Sequence, residues 1–377
     1  FFAVDPISTT FTLLALYGAM LMVERRTRGA AALTGLGAGL AIASKFSALP
    51  ILAAPVVAVM IVAWRSRQDG PIVRAQALRH LMLAFVVAFL IFALTSPFVF
   101  LDWGSFKQAV IVEQGAMASG RADMPFTRQY RGTAPYLYHI EQQVRWGMGW
   151  PLGIVAFLGL GWVLVRTLLR RARPGELILL SWIVPYFGIT GLFLAKFVRY
   201  MVPVVPLFIV MGAGMLVGRY WVLDIRYSRR ISNIQYLITG VVLLATIFWS
   251  LAFVSGVYGT EHSWIIASRW IYEHVPDGSV LATEHWDDDL PLGLPEPGAN
   301  IGAHGYRLVE LPMYEDDNEQ KYHLLRSRLS EADYVVLSTN RLYGAIPNLP
   351  ERYPMSTRYY QLLFAGELGF EKVAEFT

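Results

Sequence analysis

Lys196 and Arg199, in the run Lys196-Phe-Val-Arg199-Tyr200, sit where two long apolar stretches of this 377-residue chain turn round. Charge at the edge of hydrocarbon is costly and tends to mark a site. Lysine offers a point charge and arginine a planar fork of donors, a combination that suits a phosphate. Tyr200 follows, then Pro203 and Pro206. Two prolines in an apolar run break a helix and free backbone groups, which is tolerable where the helix lines a cavity. Lys45 is another isolated cation, the only charge in its turn, and Asp5 stands just ahead of the first apolar run. Cations placed in this way could meet the negative charge of such a phosphate. The apolar flanks assign that phosphate to a lipid-linked substrate.

Each residue also has a plainer explanation. Asp5, followed by Pro6, would complement a helix dipole in the first turn. Lys45, Lys196 and Arg199 would snorkel to the membrane interface. What favours function is where the elements place them. The chain is 55% hydrophobic and 16% charged, the composition of an integral membrane protein. Residues 1–255 hold 23 Lys and Arg against 9 Asp and Glu, a balance of +14; residues 256–377 hold 9 against 19, a balance of −10. A basic membrane part thus precedes an acidic, water-soluble part, and neither suggests nucleic acid. With no cysteine, disulfides and thiol catalysis are excluded.

Eight apolar runs, at about 7–23, 30–43, 46–64, 81–100, 151–169, 176–195, 198–217 and 234–255, read as transmembrane helices. Alternate loops are basic: 25–28, 65–79, 166–173 and 219–230 hold 15 of the 23 cations. The positive-inside rule makes these four cytoplasmic. Asp5, Lys45, the loop 102–150, the turn 196–200 and everything after 255 then lie outside. This predicts a multi-pass protein of the cytoplasmic (inner) membrane with an extracytoplasmic C-terminal domain. The second and third runs are short for full spans, and their shared turn at Lys45 is expected to dip into the outer leaflet. Gly35, Gly37 and Gly39 on the second run let another helix approach closely.

The loop 102–150 mixes cations, acids and aromatics in the manner of a lid lying on the membrane. Asp102, Arg128 and Arg131 are its candidate substrate contacts, whereas His139 and Glu141 do not have a convincing metal spacing. In the tail, helices are expected at 264–274, 317–329 and 358–366, and strands at 279–283, 334–338 and near 370–376. Strands alternating with helices imply a small parallel sheet. The acidic patch 284–289 reads as a solvated loop, with a divalent cation as the alternative. The chain opens at Phe1, not methionine, and ends inside what reads as a strand. A fragment of a longer protein is therefore expected.

Together these segments resemble the bacterial branch of C-type (GT-C) membrane glycosyltransferases, the superfamily of protein O-mannosyltransferases and the lipid A aminoarabinose transferase. The resemblance rests on Phe2-Ala-Val-Asp5-Pro6, on Gly35 to Lys45, and on Lys196-Phe-Val-Arg199-Tyr200-Met-Val-Pro203. It extends to Pro135-Tyr-Leu-Tyr138, Trp146-Gly-Met-Gly-Trp-Pro151, Asn340-Arg-Leu-Tyr-Gly344, Arg352-Tyr-Pro354 and Thr357-Arg-Tyr-Tyr360. It covers most of the chain, and the order of the motifs is more specific than any one of them.

The resemblance implies transfer of a sugar from a polyprenyl-phosphate donor to a protein, lipid or glycan acceptor outside the membrane, with inversion. Asp5 would match an active-site aspartate, and Lys45, Lys196 and Arg199 basic residues near the donor phosphate. The main general base of such enzymes, an aspartate in the first external loop, has no counterpart here and would lie upstream of Phe1. No organic cofactor is implied, and a divalent metal stays open. Two other classes remain: a transporter or flippase of a lipid-linked sugar, for which no inverted repeat is visible, and a non-catalytic membrane scaffold.

Overall fold

The computed structural model describes residues 4–65, 71–122, 124–217, 229–285 and 288–376. It is mostly helical with one small sheet, and it forms two compact units. The first comprises Phe1–Ala122 and Gly132–Leu251, the second Asp123–Arg131 and Ala252–Thr377. The sequence assigned 1–255 to a single membrane domain. In the structure, 124–131 of the external loop packs instead with the C-terminal unit. Parts of the expected basic loops 65–79 and 219–230, as well as Asp123, Trp286 and Asp287, lie outside the described residues.

Each apolar run is helical over most of its length, with breaks at 96–97, 191–197 and 202–204. Among the described residues, five helices are long and apolar enough to cross a membrane: Val4–Glu24, Phe46–Arg65, Ile72–Thr95, Trp150–Leu168 and a stretch from Asn233 within Arg229–Tyr258. Pro174–Thr190 and Val205–Val217 are apolar but shorter. We label the first four long helices α1 (Val4–Glu24), α2 (Arg28–Ser44), α3 (Ala53–Arg65) and α4 (Pro71–Thr95). A seven-residue 3₁₀ helix, Phe46–Leu52 with Pro50 inside, leads from the Lys45 turn into α3.

The glycines of α2 explain its packing. A Cβ on Gly37 would lie 2.5 Å from the Ala15 nitrogen of α1, and one on Gly18 of α1 would lie 2.7 Å from Thr34. On the other side, a Cβ on Gly35 or Gly39 would lie 2.4 or 2.6 Å from the carbonyls of Ala84 and Ala88 in α4. Small residues thus let α2 lie between two helices at backbone contact, where dispersion and packing replace the hydrophobic effect that lipid does not supply. The same device joins Trp150–Leu168 to Val205–Val217, where a Gly159 Cβ would lie 2.4 Å from the Gly212 nitrogen.

The prolines at 203 and 206 act as expected. A 3₁₀ turn over Val198–Met201 replaces the start of the helix, which begins only at Val205. The carbonyls released are taken up by side chains. Gln143 Nε2 donates to Val198 O (3.1 Å), the Tyr186 hydroxyl to Tyr200 O (2.9 Å) and Trp182 Nε1 to Pro203 O (3.2 Å). Irregular backbone survives in an apolar setting only when its polar groups are met this way.

The second unit holds a three-stranded parallel sheet in the order β2-β1-β3: β1 Val280–Glu284, β2 Arg307–Leu311 and β3 Tyr334–Val336. Val280 pairs with Arg307 across one side of β1, and Leu281 pairs with Tyr334 across the other. The expected helices form as Ser263–His274, Glu319–Glu331 and Pro354–Phe364. Two strand expectations need correction. β2 was not anticipated, because Arg307-Leu-Val-Glu-Leu311 is short and exposed at several positions. The strand expected near 370–376 does not form: this segment pairs with no described strand, and Phe376 instead packs beside Trp270 with 5.9 Å between ring centroids.

Candidate functional site

Because α1 and α2 run antiparallel, the start of α1 lies beside the end of α2. Ser8 Oγ donates to Ala41 O (3.3 Å) and fixes that register. Asp5 and Lys45 are brought together as a result, 40 residues apart in sequence, and Lys45 Nζ donates to Asp5 Oδ1 at 2.6 Å. Asp5 is nearly buried, with 10% of its side chain exposed against 22% for Lys45. Two charges held this close to an apolar core need each other to offset lost hydration.

Tyr200 closes the group from the turn after the sixth apolar run. Lys45 Nζ stands 5.1 Å from the centroid of its ring, within cation–π range. The Tyr200 carbonyl is the one that Tyr186 holds. Phe197 meets the Tyr200 ring edge-on at 5.3 Å, and the Arg199 guanidinium lies over Phe197 at 5.2 Å. A continuous path of contacts therefore runs Asp5, Lys45, Tyr200, Phe197, Arg199. Its Arg199 end is exposed and its Asp5 end buried.

Lys196 does not join this path. It is 3% exposed, and its Nζ lies 3.4 Å from Leu194 O, a long contact for a charged donor. Burial pushes its ammonium below the ordinary lysine value. Close to it is His139, 1% exposed, with Phe187 and Tyr138 against the ring and neither nitrogen in a well-formed hydrogen bond. Burial first, and the Lys196 charge second, push the imidazole down to about 4 against a smaller opposing pull from the Thr190 backbone. His139 is therefore neutral at neutral pH. The turn carrying Lys196 is tied down where Leu194 N donates to Ala118 O (2.8 Å).

The remaining candidates stand elsewhere. Asp102 is exposed and caps the short Trp103–Phe106 helix, its Oδ1 accepting from Ser105 N at 3.1 Å. Those hydrogen bonds from Ser105 hold its carboxyl below the usual value. Arg128 and Arg131 belong to the second unit, where Arg128 pairs with Glu351 at 2.9 Å.

Sequence reasoning missed Tyr186, Trp182 and Gln143, which hold the broken backbone at 198–203. Aromatic residues in an apolar helix look like lipid-facing or core residues, so only the neighbouring prolines gave a signal. It also missed Lys321, buried in the second unit. There Lys321 donates to Met313 O (2.9 Å), Glu315 O (2.7 Å), Asp317 Oδ1 (2.8 Å) and Ser356 Oγ (2.7 Å). Every proton of the ammonium is satisfied and the group is closed to solvent, so this is a structural node. In the acidic patch, Glu284 is a buried acceptor of the Tyr360 hydroxyl at 2.5 Å. Among the described residues no cluster of three or more His, Asp or Glu is arranged to hold a metal.

No protein-family model, no curated protein and no solved structure matches the chain.

Proposed function

We propose that the first unit is a glycosyltransferase that moves a sugar from a polyprenyl-phosphate donor to an acceptor hydroxyl at the outer face of the cytoplasmic membrane. The observation that carries the proposal is the Asp5–Lys45 pair closed against Tyr200, leading to an exposed Arg199. In this reading the eight apolar runs are spans, the four basic loops are cytoplasmic, and the second unit is extracytoplasmic.

The arriving phosphate competes with Asp5 for Lys45. Lys45 turns to the phosphate, joined by the planar fork of Arg199, while Lys196 adds its charge from the buried side of the same turn. Asp5, released from its partner, becomes a proton acceptor. The acceptor hydroxyl oxygen then attacks the anomeric carbon from the face opposite the phosphate. Its proton passes to a carboxylate, and the bond from the anomeric carbon to the phosphate oxygen breaks, that oxygen keeping the electron pair. A single displacement inverts the anomeric centre, for the geometric reason that applies to inverting glycosidases. Tyr200 keeps the Lys45 ammonium between its two partners by cation–π attraction.

The test uses purified full-length protein in nanodiscs with a panel of radiolabelled polyprenyl-phosphate sugars and a membrane extract as the source of acceptor hydroxyls, following free polyprenyl phosphate. Release is expected from at least one donor. Asp5→Asn, Lys45→Ala and Arg199→Ala should each reduce it by about 10²-fold or more. Normal turnover in Lys45→Ala and Arg199→Ala would end the phosphate-clamp proposal. Tight donor binding without release, combined with donor crossing sealed vesicles, would make the protein a transporter.

A further inference from the structure

The second unit carries an open cavity of about 610 Å³ lined by Phe126, Arg128, Gln129 and Arg131 on one side and by Asn340, Arg341, Gly344, Ala345 and Asn348 on the other. Its size lies within the range of small-ligand sites. Its chemistry departs from its surroundings. Residues 256–377 have a balance of −10, yet three arginines converge on this hollow. Two of the three come from 124–131, the segment that the first unit's external loop contributes to this unit.

Local structure holds the lining in place. The 3₁₀ turn Pro125–Tyr130 is anchored by buried Tyr130 and Thr127, and Thr127 Oγ1 donates to Met124 O (2.8 Å). Opposite it, Gly344 N donates to Asn340 O (2.8 Å), and a Cβ on Gly344 would lie 2.5 Å from that oxygen. The turn at 340–344 is therefore closed by a glycine that no larger residue can replace without movement. Asn348 Nδ2 donates to Gly344 O (2.8 Å) and braces the same turn. Phe126 meets Tyr314 edge-on at 6.5 Å, which fixes an aromatic wall.

We infer that this cavity binds an anionic sugar, one bearing a phosphate or a carboxylate. Guanidinium forks recognise the anion bidentately. The side-chain amides of Gln129, Asn340 and Asn348 match hydroxyl groups in both donor and acceptor character. The Phe126 ring offers an apolar face to the C–H side of a pyranose. Glu351, which pairs with Arg128, is 62% exposed and marks the position an incoming anion would contest. The inference does not depend on the transfer reaction, because binding is measured without turnover.

The test is equilibrium binding to the full chain in nanodiscs, using D-glucose 6-phosphate, D-glucuronate, D-glucose and inorganic phosphate as probes. At least one charged sugar should saturate the protein, with weaker binding as salt rises; which one binds tells whether phosphate or carboxylate is read. D-Glucose and inorganic phosphate should each bind about tenfold more weakly or worse. Arg131→Gln and Arg341→Gln should each weaken the charged sugar by about tenfold, the usual scale for one charge-assisted contact. Glu351→Gln, which removes a competing carboxylate, should strengthen binding several-fold, a gain that misfolding cannot imitate. Arg326→Gln, on the exposed face of Glu319–Glu331, should change nothing. The inference is overturned if neither charged sugar binds, if D-glucose or inorganic phosphate binds as tightly, or if the Arg131, Arg341 and Glu351 variants match the parent.

Discussion

At the scale of single residues, the Asp5–Lys45 pair allows its structural and chemical roles to be separated. Lys45→Met strands a carboxylate that is 10% exposed, and should destabilise the protein by roughly 1–4 kcal/mol, between the exposed and buried limits for a broken pair. Adding Asp5→Asn removes the stranded charge, so the double variant should melt higher than Lys45→Met alone while staying inactive. A double variant that melts no higher would show that charge is not what the pair provides. His139 supports a pH prediction. Its folded value of about 4 lies below the ordinary 6.5, so the unfolded chain binds the proton more readily between those limits. Stability from this site is therefore full above about pH 6.5 and falls as pH drops toward 4. His139→Phe should flatten the melting temperature across that window; an unchanged slope would remove His139 as the cause. The identities of Asp5, Lys45, Tyr200 and Arg199 were legible, because each is a polar residue where apolar ones are expected. Their contacts were not, since separations of 40 and 155 residues carry no distance. His139 was read only against Glu141, along the chain, whereas its significance lies in burial beside Lys196.

At the scale of elements, two glycines in one helix make opposite predictions. A Cβ at Gly159 would strike the Gly212 backbone at 2.4 Å, while one at Gly161 meets nothing within 4 Å. Gly159→Ala should lower stability by about 1–3 kcal/mol through overpacking. Gly161→Ala should be neutral or raise it by up to about 1 kcal/mol, the helix-propensity difference. Thermal melts of the two purified variants decide this, and equal effects would mean the helices are not in backbone contact. The glycines of α2 were readable because three fall in five residues; the Gly159–Gly212 contact was not, because each glycine looks ordinary in its own helix. The tail shows the complementary failure. Phe370 to Phe376 has apolar residues at both ends and looks like a strand, but a strand exists only where a neighbour offers its edge. β2, with Arg307 and Glu310 among five residues, looks like loop and pairs because β1 lies beside it.

At the scale of the whole molecule, the two units have separate apolar cores, one spread over the long helices and the others around the sheet. Damage to one should leave the other standing. Lys321→Met strands Asp317, whose side chain is 5% exposed, and should cost the second unit about 3–5 kcal/mol. Hydrogen exchange should accelerate throughout 263–364 and stay unchanged in α1 and α2; acceleration in both would argue against independent cores. Burial opposes ionisation of Asp317, but hydrogen bonds from Lys321 and Ser356 outweigh it and lower its value. The stability it contributes is therefore present above the ordinary carboxylate range and lost only as pH falls through the depressed value. The split in charge between the halves of the sequence suggested a boundary near 255, and the chain divides into two compact units. The split did not show that part of the loop crosses over, because 124–131 is unremarkable in charge until its neighbours are known.

That crossing has a temporal side. Arg128 pairs with a residue 223 positions further along the chain. At ribosomal speeds of about 5–20 residues per second, the segment would be complete roughly 10–45 s before Glu351 is made. For that interval 124–131 has no place to dock, and the loop that carries it must wait unfinished until the C-terminal unit is made. A chain halted before residue 340 should be cut readily by trypsin after Arg128 and Arg131, and the finished chain should resist. Equal cleavage of both would mean that the segment finds its shape without its late partner.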